Sequence, residues 1–281
     1  MQWTKEAEEA VSKVPFFVRR RVRKRVEEEA TNAGAKVVSM GHVNTCRQRY
    51  LTNMEEEVKG FQVEACFGSS GCPNRAQHTE ELVRKLELLL ESQELRAFLK
   101  ERVQGPLKLH HEFRVCVSDC PNACSRPQIA DLGLIGALRP DVSESPCSLC
   151  GSCVETCRER AVKLDHEREQ PVVDYDKCVS CGQCVEACPT GTLVKGVQGF
   201  RIQIGGKLGR HPRLASELPD IHSTKRTLEI AEQCLDYYKQ QNSRGERFGE
   251  MLERTAWNPL GKAPADSIRR QCEHSAQAKT E

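Results

Sequence analysis

No stretch of this sequence stays apolar for anything near the ~20 residues that a membrane-spanning helix needs, so a helical membrane protein is excluded. A charge surplus is also missing. The 42 lysines and arginines face 40 aspartates and glutamates, which leaves nucleic acid a poor default partner. The first residues show no charged, apolar, cleavable leader. The expectation is therefore a soluble protein in a reducing, cytoplasmic compartment, where disulfides are rare. What the chain has in quantity is cysteine: sixteen in 281 residues, gathered at metal-ligand spacings rather than spread as a disulfide framework. At 38% hydrophobic content the length can build about two domains.

Four of these cysteines form C-x5-C, Cys66 and Cys72 in EACFGSSGCPN, and C-x3-C, Cys120 and Cys124 in VCVSDCPNAC. Four soft thiolates can close a tetrahedral shell around zinc or an iron-sulfur cluster. Zinc knuckles favour shorter C-x2-4-C spacings, so the pattern leans to a cluster. The order C-x5-C, a long gap, then CPN-x-C resembles the cluster-binding core of siroheme-dependent sulfite and nitrite reductases. The likeness extends to residues 129–138, IADLGLIGAL, and 205–215, GGKLGRHPRLA, and covers roughly 60–144 and 197–260. The resemblance implies a 4Fe-4S cluster on Cys66, Cys72, Cys120 and Cys124, with Cys124 also bridging to the siroheme iron. It further implies that residues 129–138 and 205–215 flank the tetrapyrrole. Lys207, Arg210 and Arg213, with His211 among them, bring positive charge to a glycine turn suited to the siroheme carboxylates; a plain surface loop is the alternative.

Two places depart from that family's pattern. Asp119 stands where the family usually has glycine, so a side chain is expected to crowd a place that is normally bare backbone. Within HHEFRVCVSDC the family commonly has K-x-K for the anionic substrate; here the two positions are Glu112 and Arg114. Arg114 is thus the catalytic candidate, offering a guanidinium fork to the anion.

Residue 145 opens a different module. Cys147, Cys150, Cys153 and Cys157 form C-x2-C-x2-C-x3-C, and Cys178, Cys181, Cys184 and Cys188 repeat it, followed by Pro189. This doubled run resembles the bacterial two-cluster ferredoxin, in which each fourth cysteine ligates the other half's cluster. The implied sets are Cys147, Cys150, Cys153 and Cys188, and Cys178, Cys181, Cys184 and Cys157; structural zinc is the alternative. The first half lacks the trailing proline, having Arg158, so its turn is expected to differ. Alternation in 161–176 suggests a hairpin between the halves.

Elsewhere the patterns are more ordinary. Residues 1–34 read as two helices, the first capped by Thr4 and the second carrying Pro15 in its first turn and Val18, Val22 and Val26 on one side. The run RRRVRKRVEEE offers i,i+4 pairs Arg23/Glu27, Lys24/Glu28 and Arg25/Glu29, which reads as a solvated helix, with a docking patch for an acidic redox partner as the other reading. The first 50 or so residues resemble a small helical domain of a light-independent protochlorophyllide reductase subunit. Residues 36–43 suggest a short strand, followed by a polar turn with Cys46, Arg47 and Arg49; Cys46 reads as packing, and the arginines as surface charge or as contacts to an anion. One long helix is expected over 80–103, with Leu82, Leu86, Leu89, Leu90 and Leu95 in a stripe, then a strand over 107–117 holding Cys116. Phe200, Ile202 and Ile204 alternate as a strand, 224–241 is an amphipathic helix around Cys234, one more short helix falls in 245–255, and the end, including Cys272, reads as a frayed tail.

Assembled, the expectation is an α+β protein: a small helical domain at 1–55, a siroheme/4Fe-4S reductase core at 60–144 and 197–281, and a bacterial-type ferredoxin domain inserted at 145–196. It implies three 4Fe-4S clusters and siroheme, a soluble electron donor, and an enzyme reducing sulfite to sulfide or nitrite to ammonia. Full family members carry two tandem copies of the core, and one can be placed here, so a homo-oligomer or related subunits are expected. The rival is an electron-transfer subunit without its own turnover. A redox sensor that binds nucleic acid through the basic helix rests on residues 19–25 alone.

Overall fold

The computed structural model describes residues 1–14, 16–255, 257 and 259–260. Pro15, the Val18 side chain and the tail with Cys272 lie outside the described residues. The chain divides into two compact units, residues 1–59 with 103–110, and residues 60–102 with 111–281. Among the described residues no helix is long and apolar enough to cross a membrane.

The first unit contains strand β1 (Gln2–Trp3), helices α1 (Lys5–Ser12) and α2 (Phe16–Asn32), strand β2 (Val37–Val38) and helix α3 (Met40–Glu57). Thr4 caps α1 by accepting from the Ala7 amide, and β1 pairs parallel with β2. Ala7, Val26, Ala30 and Val38 form its core, with Trp3, Val22 and Met40 packed on them. The expected polar turn around Cys46, Arg47 and Arg49 is instead the middle of α3. Ser39 and His42 close a reciprocal capping box at its start, so a local cap overrides the turn-like composition. Of the three expected i,i+4 pairs, Lys24 meets Glu28 at 4.0 Å, while Arg23 reaches Glu8 and Glu29 binds Arg49 at 2.6 Å. Partners on other helices win because they are better placed than the next turn.

The second unit is a five-stranded mixed sheet with helices. Its strands are β3 (Phe61–Ala65), β4 (Phe113–Ser118), β5 (Leu132–Val142), β8 (Leu193–Ile204) and β9 (Ser216–Glu217), in that spatial order. The first three are mutually parallel, and β8 and β9 run antiparallel. Residues 113, 115, 117, 132, 134 and 202 are almost fully buried. Helix α4 (Glu80–Ser92) and helix α5 (Leu95–Arg102) replace the single helix expected over 80–103. Glu94, at φ 49°, breaks it. The leucine stripe survives the break, since Leu82, Leu86, Leu90, Leu95 and Leu99 are all buried, each worth ~1.5–3 kcal/mol of burial; Leu89 is only half-buried.

The strand expected from 107 begins at Phe113, after a short 3-10 turn at Leu109–His111. Helix α8 (Thr224–Gln241), capped by Ser223, inserts Cys234, Leu235 and Tyr238 into the core. Tyr238, Phe113 and Phe248 of helix α9 (Phe248–Thr255) meet with ring centroids 5.3–6.0 Å apart. Burial holds the Tyr238 hydroxyl and the Cys234 thiol in their neutral forms.

Residues 143–192 are the connection between the antiparallel neighbours β5 and β8. The connection contains helix α6 (Ser152–Thr156), the hairpin β6 (Val162–Asp165) and β7 (Gln170–Val173), and helix α7 (Gln183–Glu186). Cys153, Val162, Cys184 and Leu193 form its own small core. Strand β8 begins at Leu193, so residues 193–196 already belong to the sheet.

Candidate metal centre

The turn after β4 and the turn after β3 bring four thiols to one end of the sheet. Burial raises the pKa of Cys120, and the nearby thiols of Cys72, Cys124 and Cys66 push it the same way. Cys120 is buried, Cys66 and Cys72 are half-buried, and Cys124 is exposed. Ala123 adopts the left-handed conformation at φ 53°, which folds the C-x3-C turn back on itself. The Asp119 amide donates to the Cys66 sulfur at 3.3 Å.

The two four-cysteine runs interleave. Cys153 is raised first by burial, then by the thiols of Cys188 and Cys147. Burial pushes Cys184 up to about 12, helped by Cys178, Cys181 and Cys157. Cys188 therefore lies near Cys147 and Cys153, and Cys157 lies near Cys184 together with Cys178 and Cys181. Backbone geometry repeats in step: Leu149 and Ser180, Gly151 and Gly182, Arg160 and Gly191 are all left-handed. Such turns point amide groups inward and make concavities for anionic sulfur. Amides donate to sulfur at Cys147, Cys157 and Cys188, from Leu149, Ala161 and Leu193, at 3.3–3.4 Å. The turn after the fourth cysteine differs between the halves, as Arg158 in place of proline led one to expect: the amide that reaches the Cys157 sulfur is Ala161, four residues on, and the one that reaches Cys188 is Leu193, five residues on. Among the described residues no three ligand side chains close on a single ion; a four-iron cluster holds its thiolates farther apart than one ion does.

The sets are neighbours. Leu138 of β5 packs with Cys120 and Val185, its amide donates to the Ser180 carbonyl at 2.7 Å, and it forms an isolated bridge with Cys181. Of the segment 129–138, Ile129 ends a short 3-10 turn and residues 132–138 lie in β5, the central strand of the sheet. Its glycines permit close backbone approach: a Cβ on Gly133 would sit 2.3 Å from the Pro127 carbonyl oxygen, and one on Gly136 2.3 Å from that of Asp119.

Asp119 does not crowd the site. Its side chain is only 3% exposed, pairs with Arg75 Nε at 2.5 Å, and accepts from the Thr79 hydroxyl at 2.7 Å. Space comes from Gly68, where a Cβ would lie 1.9 Å from Asp119 Oδ2. The sequence singles out Asp119 but not Arg75, Thr79 or Gly68; the glycine inside C-x5-C is the one signal that could have raised the question.

The cationic candidates fare differently. Arg114 shares Glu64 with Arg126, at 3.6 and 2.8 Å, and its amide donates to the buried Asp131 carboxylate. Cys116, beside them, is pushed up to about 11 by burial. Glu112 is buried. Lys207 is buried against Glu250 at 2.5 Å, and Arg213 binds the Gly249 carbonyl at 2.7 Å and Glu253 at 3.4 Å. Arg210 is exposed. The turn at 205–215 therefore spends two of its three candidate cations on α9, against the expectation of one shared cationic edge.

Comparison with known proteins places this arrangement. The coenzyme F420-dependent sulfite reductase of Methanocaldococcus jannaschii is 38% identical over 146 residues, which are 52% of this chain and 21% of that protein. One subunit of the anaerobic sulfite reductase of Salmonella typhimurium is 28% identical over 144 residues, 46% of this chain and 38% of that one. The chain thus spans less than half the length of these relatives. The crystal structure of dissimilatory sulfite reductase I superposes with a TM-score of 0.48 at 18% identity, over 74% of this chain and 54% of that one. Residues 3–47 match the proto-chlorophyllide reductase 57 kD subunit family. Residues 59–264, which include all twelve of the clustered cysteines, match throughout, and the chain belongs to the nitrite and sulphite reductase 4Fe-4S domain family.

Proposed function

We propose that this chain is the catalytic core of a siroheme-dependent sulfite or nitrite reductase, with a two-cluster ferredoxin insertion between β5 and β8, at 143–192, that feeds a third 4Fe-4S cluster. The observation that carries this reading is Leu138, packed against Cys120 and Val185 and bridged to Cys181. One side chain's thickness separates the Cys66/Cys72/Cys120/Cys124 set from the Cys157/Cys178/Cys181/Cys184 set. The atoms nearest to a Cβ on Gly182 would be those of the Leu138 side chain, at 3.0–3.2 Å, so the two elements approach closely where Gly182 has no side chain.

The donor sets fit the groups. Four thiols with inward amide donors suit iron-sulfur clusters, and Cys124, the exposed thiol, is the member that a second iron can reach. Loaded, the clusters carry electrons singly, and siroheme supplies the iron at which six-electron reduction of sulfite or nitrite takes place. The chain's residues do the positioning. Cys150 is exposed at the outer set and faces a soluble donor. Leu138 and Val185 keep water out between the inner two. Arg114 and Arg126 share a single carboxylate, Glu64, which leaves one net positive charge for an anion; Arg210 is the turn's exposed cation for siroheme carboxylates.

A second reading, an electron-transfer subunit of a larger redox complex, is favoured by the inward commitment of Lys207 and Arg213. The visible spectrum of anaerobically purified protein separates the two. The enzyme reading expects a sharp Soret band and a long-wavelength band with about thirteen irons per chain, twelve from three clusters and one from siroheme; a spectrum of clusters alone favours the second reading. Eight irons or fewer after full reconstitution would remove the third cluster.

A further inference from the structure

Among the charged side chains near the thiol sets, Asp119 is nearly sealed from solvent and lies against one sulfur: its Oδ1 is 3.5 Å from Cys66 Sγ. Both of its oxygens have partners: the Arg75 guanidinium forms an ion pair with Oδ2 at 2.5 Å and the Thr79 hydroxyl donates to Oδ1 at 2.7 Å. The same guanidinium also binds Glu80 at 2.6 Å. One cation between two carboxylates leaves a net negative charge. Arg75 pairs with Oδ2, whereas Oδ1 is the oxygen that faces Cys66. The carboxylate is also locked in place, because its room is the absent side chain of Gly68 and its backbone carbonyl accepts the Ala76 and Gln77 amides at 3.0 Å. A Cys66 that ligates iron has no proton to share with Oδ1, so charge then faces charge across 3.5 Å.

We infer that Asp119 is a positioning residue that lowers the reduction potential of the cluster on Cys66, Cys72, Cys120 and Cys124. The inference rests on the cluster assignment proposed above. A fixed anion beside a ligand sulfur disfavours adding an electron to the cluster, and net charge and hydrogen bonds at sulfur are what set such potentials. Glycine at position 119 would lack this charge, so the cluster of this chain is set more reducing than one with bare backbone there. That suits a last centre before a demanding electron acceptor.

The test is a dye-mediated redox titration of the full, reconstituted chain, followed by the electron paramagnetic resonance signal that Cys72→Ser abolishes. Asp119→Asn and Asp119→Gly both remove the charge, and the second also removes the side chain. Both should keep iron content at the wild-type value and raise the midpoint so that the reduced-to-oxidised ratio at a fixed potential grows about tenfold, or about 59 mV for one electron. Wild-type midpoints in variants with full iron would overturn the inference. Loss of this cluster in both variants, with the wild type loaded, would make Asp119 a structural residue and overturn it equally. A wild type with eight irons or fewer would instead remove the cluster, and with it both readings.

Discussion

At the residue scale, thiols that look alike in sequence have separate fates. Cys124 is exposed at the edge of its set, while Cys234 is fully buried in α8 and Cys116 lies within β4. Serine at 124 offers a harder oxygen with weaker covalency to iron. Cys124→Ser is therefore expected to lose siroheme absorption and six-electron turnover, whereas Cys234→Ser and Cys116→Ser leave the spectrum unchanged; optical spectra of the three variants check this. Wild-type siroheme bands in Cys124→Ser would remove the bridge. Arg114 gives a second expectation at this scale. With Arg126 it brackets Glu64, so Arg114→Ala leaves Arg126 and Glu64 to neutralise each other and takes away the surplus charge. Affinity for sulfite or nitrite should fall roughly tenfold, the ~1.4 kcal/mol of a lost charge-assisted contact, with iron content unchanged. Binding measured by titration of the optical spectrum reads it.

Elements meet where side chains are missing. Strand β5 passes the C-x3-C turn at Gly136, and a methyl group there would collide with the Asp119 carbonyl oxygen at 2.3 Å. Backbone cannot move aside as a flexible side chain can. Gly136→Ala is expected to destabilise the second unit by about 1–3 kcal/mol and to reduce iron loading at the Cys120 set, measured by urea unfolding and iron analysis. Helix α9 gives an acid-sensitive expectation. The Lys207 hydrogen bond holds Glu250 below the usual carboxylate range. A depressed folded pKa stabilises at pH values above the unfolded one, ~4.3 for glutamate, and that contribution is lost as pH falls through the folded value. Between about pH 6 and pH 3, the urea midpoint of Glu250→Gln should fall less steeply than that of the wild type. Parallel curves would show that the pair contributes nothing to holding α9 on the glycine turn.

For the whole molecule, the sheet of the second unit is the frame and residues 143–192 are a long detour between two strands that pair directly. The detour carries eight thiols out and returns to the same sheet position, so its sets are fixed relative to the core by β5 and β8. A single copy of the core is expected to associate with itself or with related subunits. Sedimentation of the loaded protein checks this, and a monomer with full turnover would contradict it.

Sequence alone settled much of this protein, because cysteine spacing is a covalent fact that survives folding. The two C-x2-C-x2-C-x3-C runs, the C-x5-C and C-x3-C pairs, the leucine stripe and the alternating strand at 200–204 are all local patterns, and periodicity reads local patterns. It misjudged 80–103 and the region of α3 because a single left-handed residue, Glu94, and a capping box at Ser39 decide where helices break and begin. What only the tertiary structure decided are contacts between residues far apart in the chain. Arg23 reached Glu8 instead of Glu27, Lys207 and Arg213 turned to α9, and Leu138 came between Cys120 and Val185. Asp119 found its room at Gly68, 51 residues earlier by their numbers. Such pairings depend on which backbones approach within a methyl group's radius, and no spacing along the chain encodes that distance.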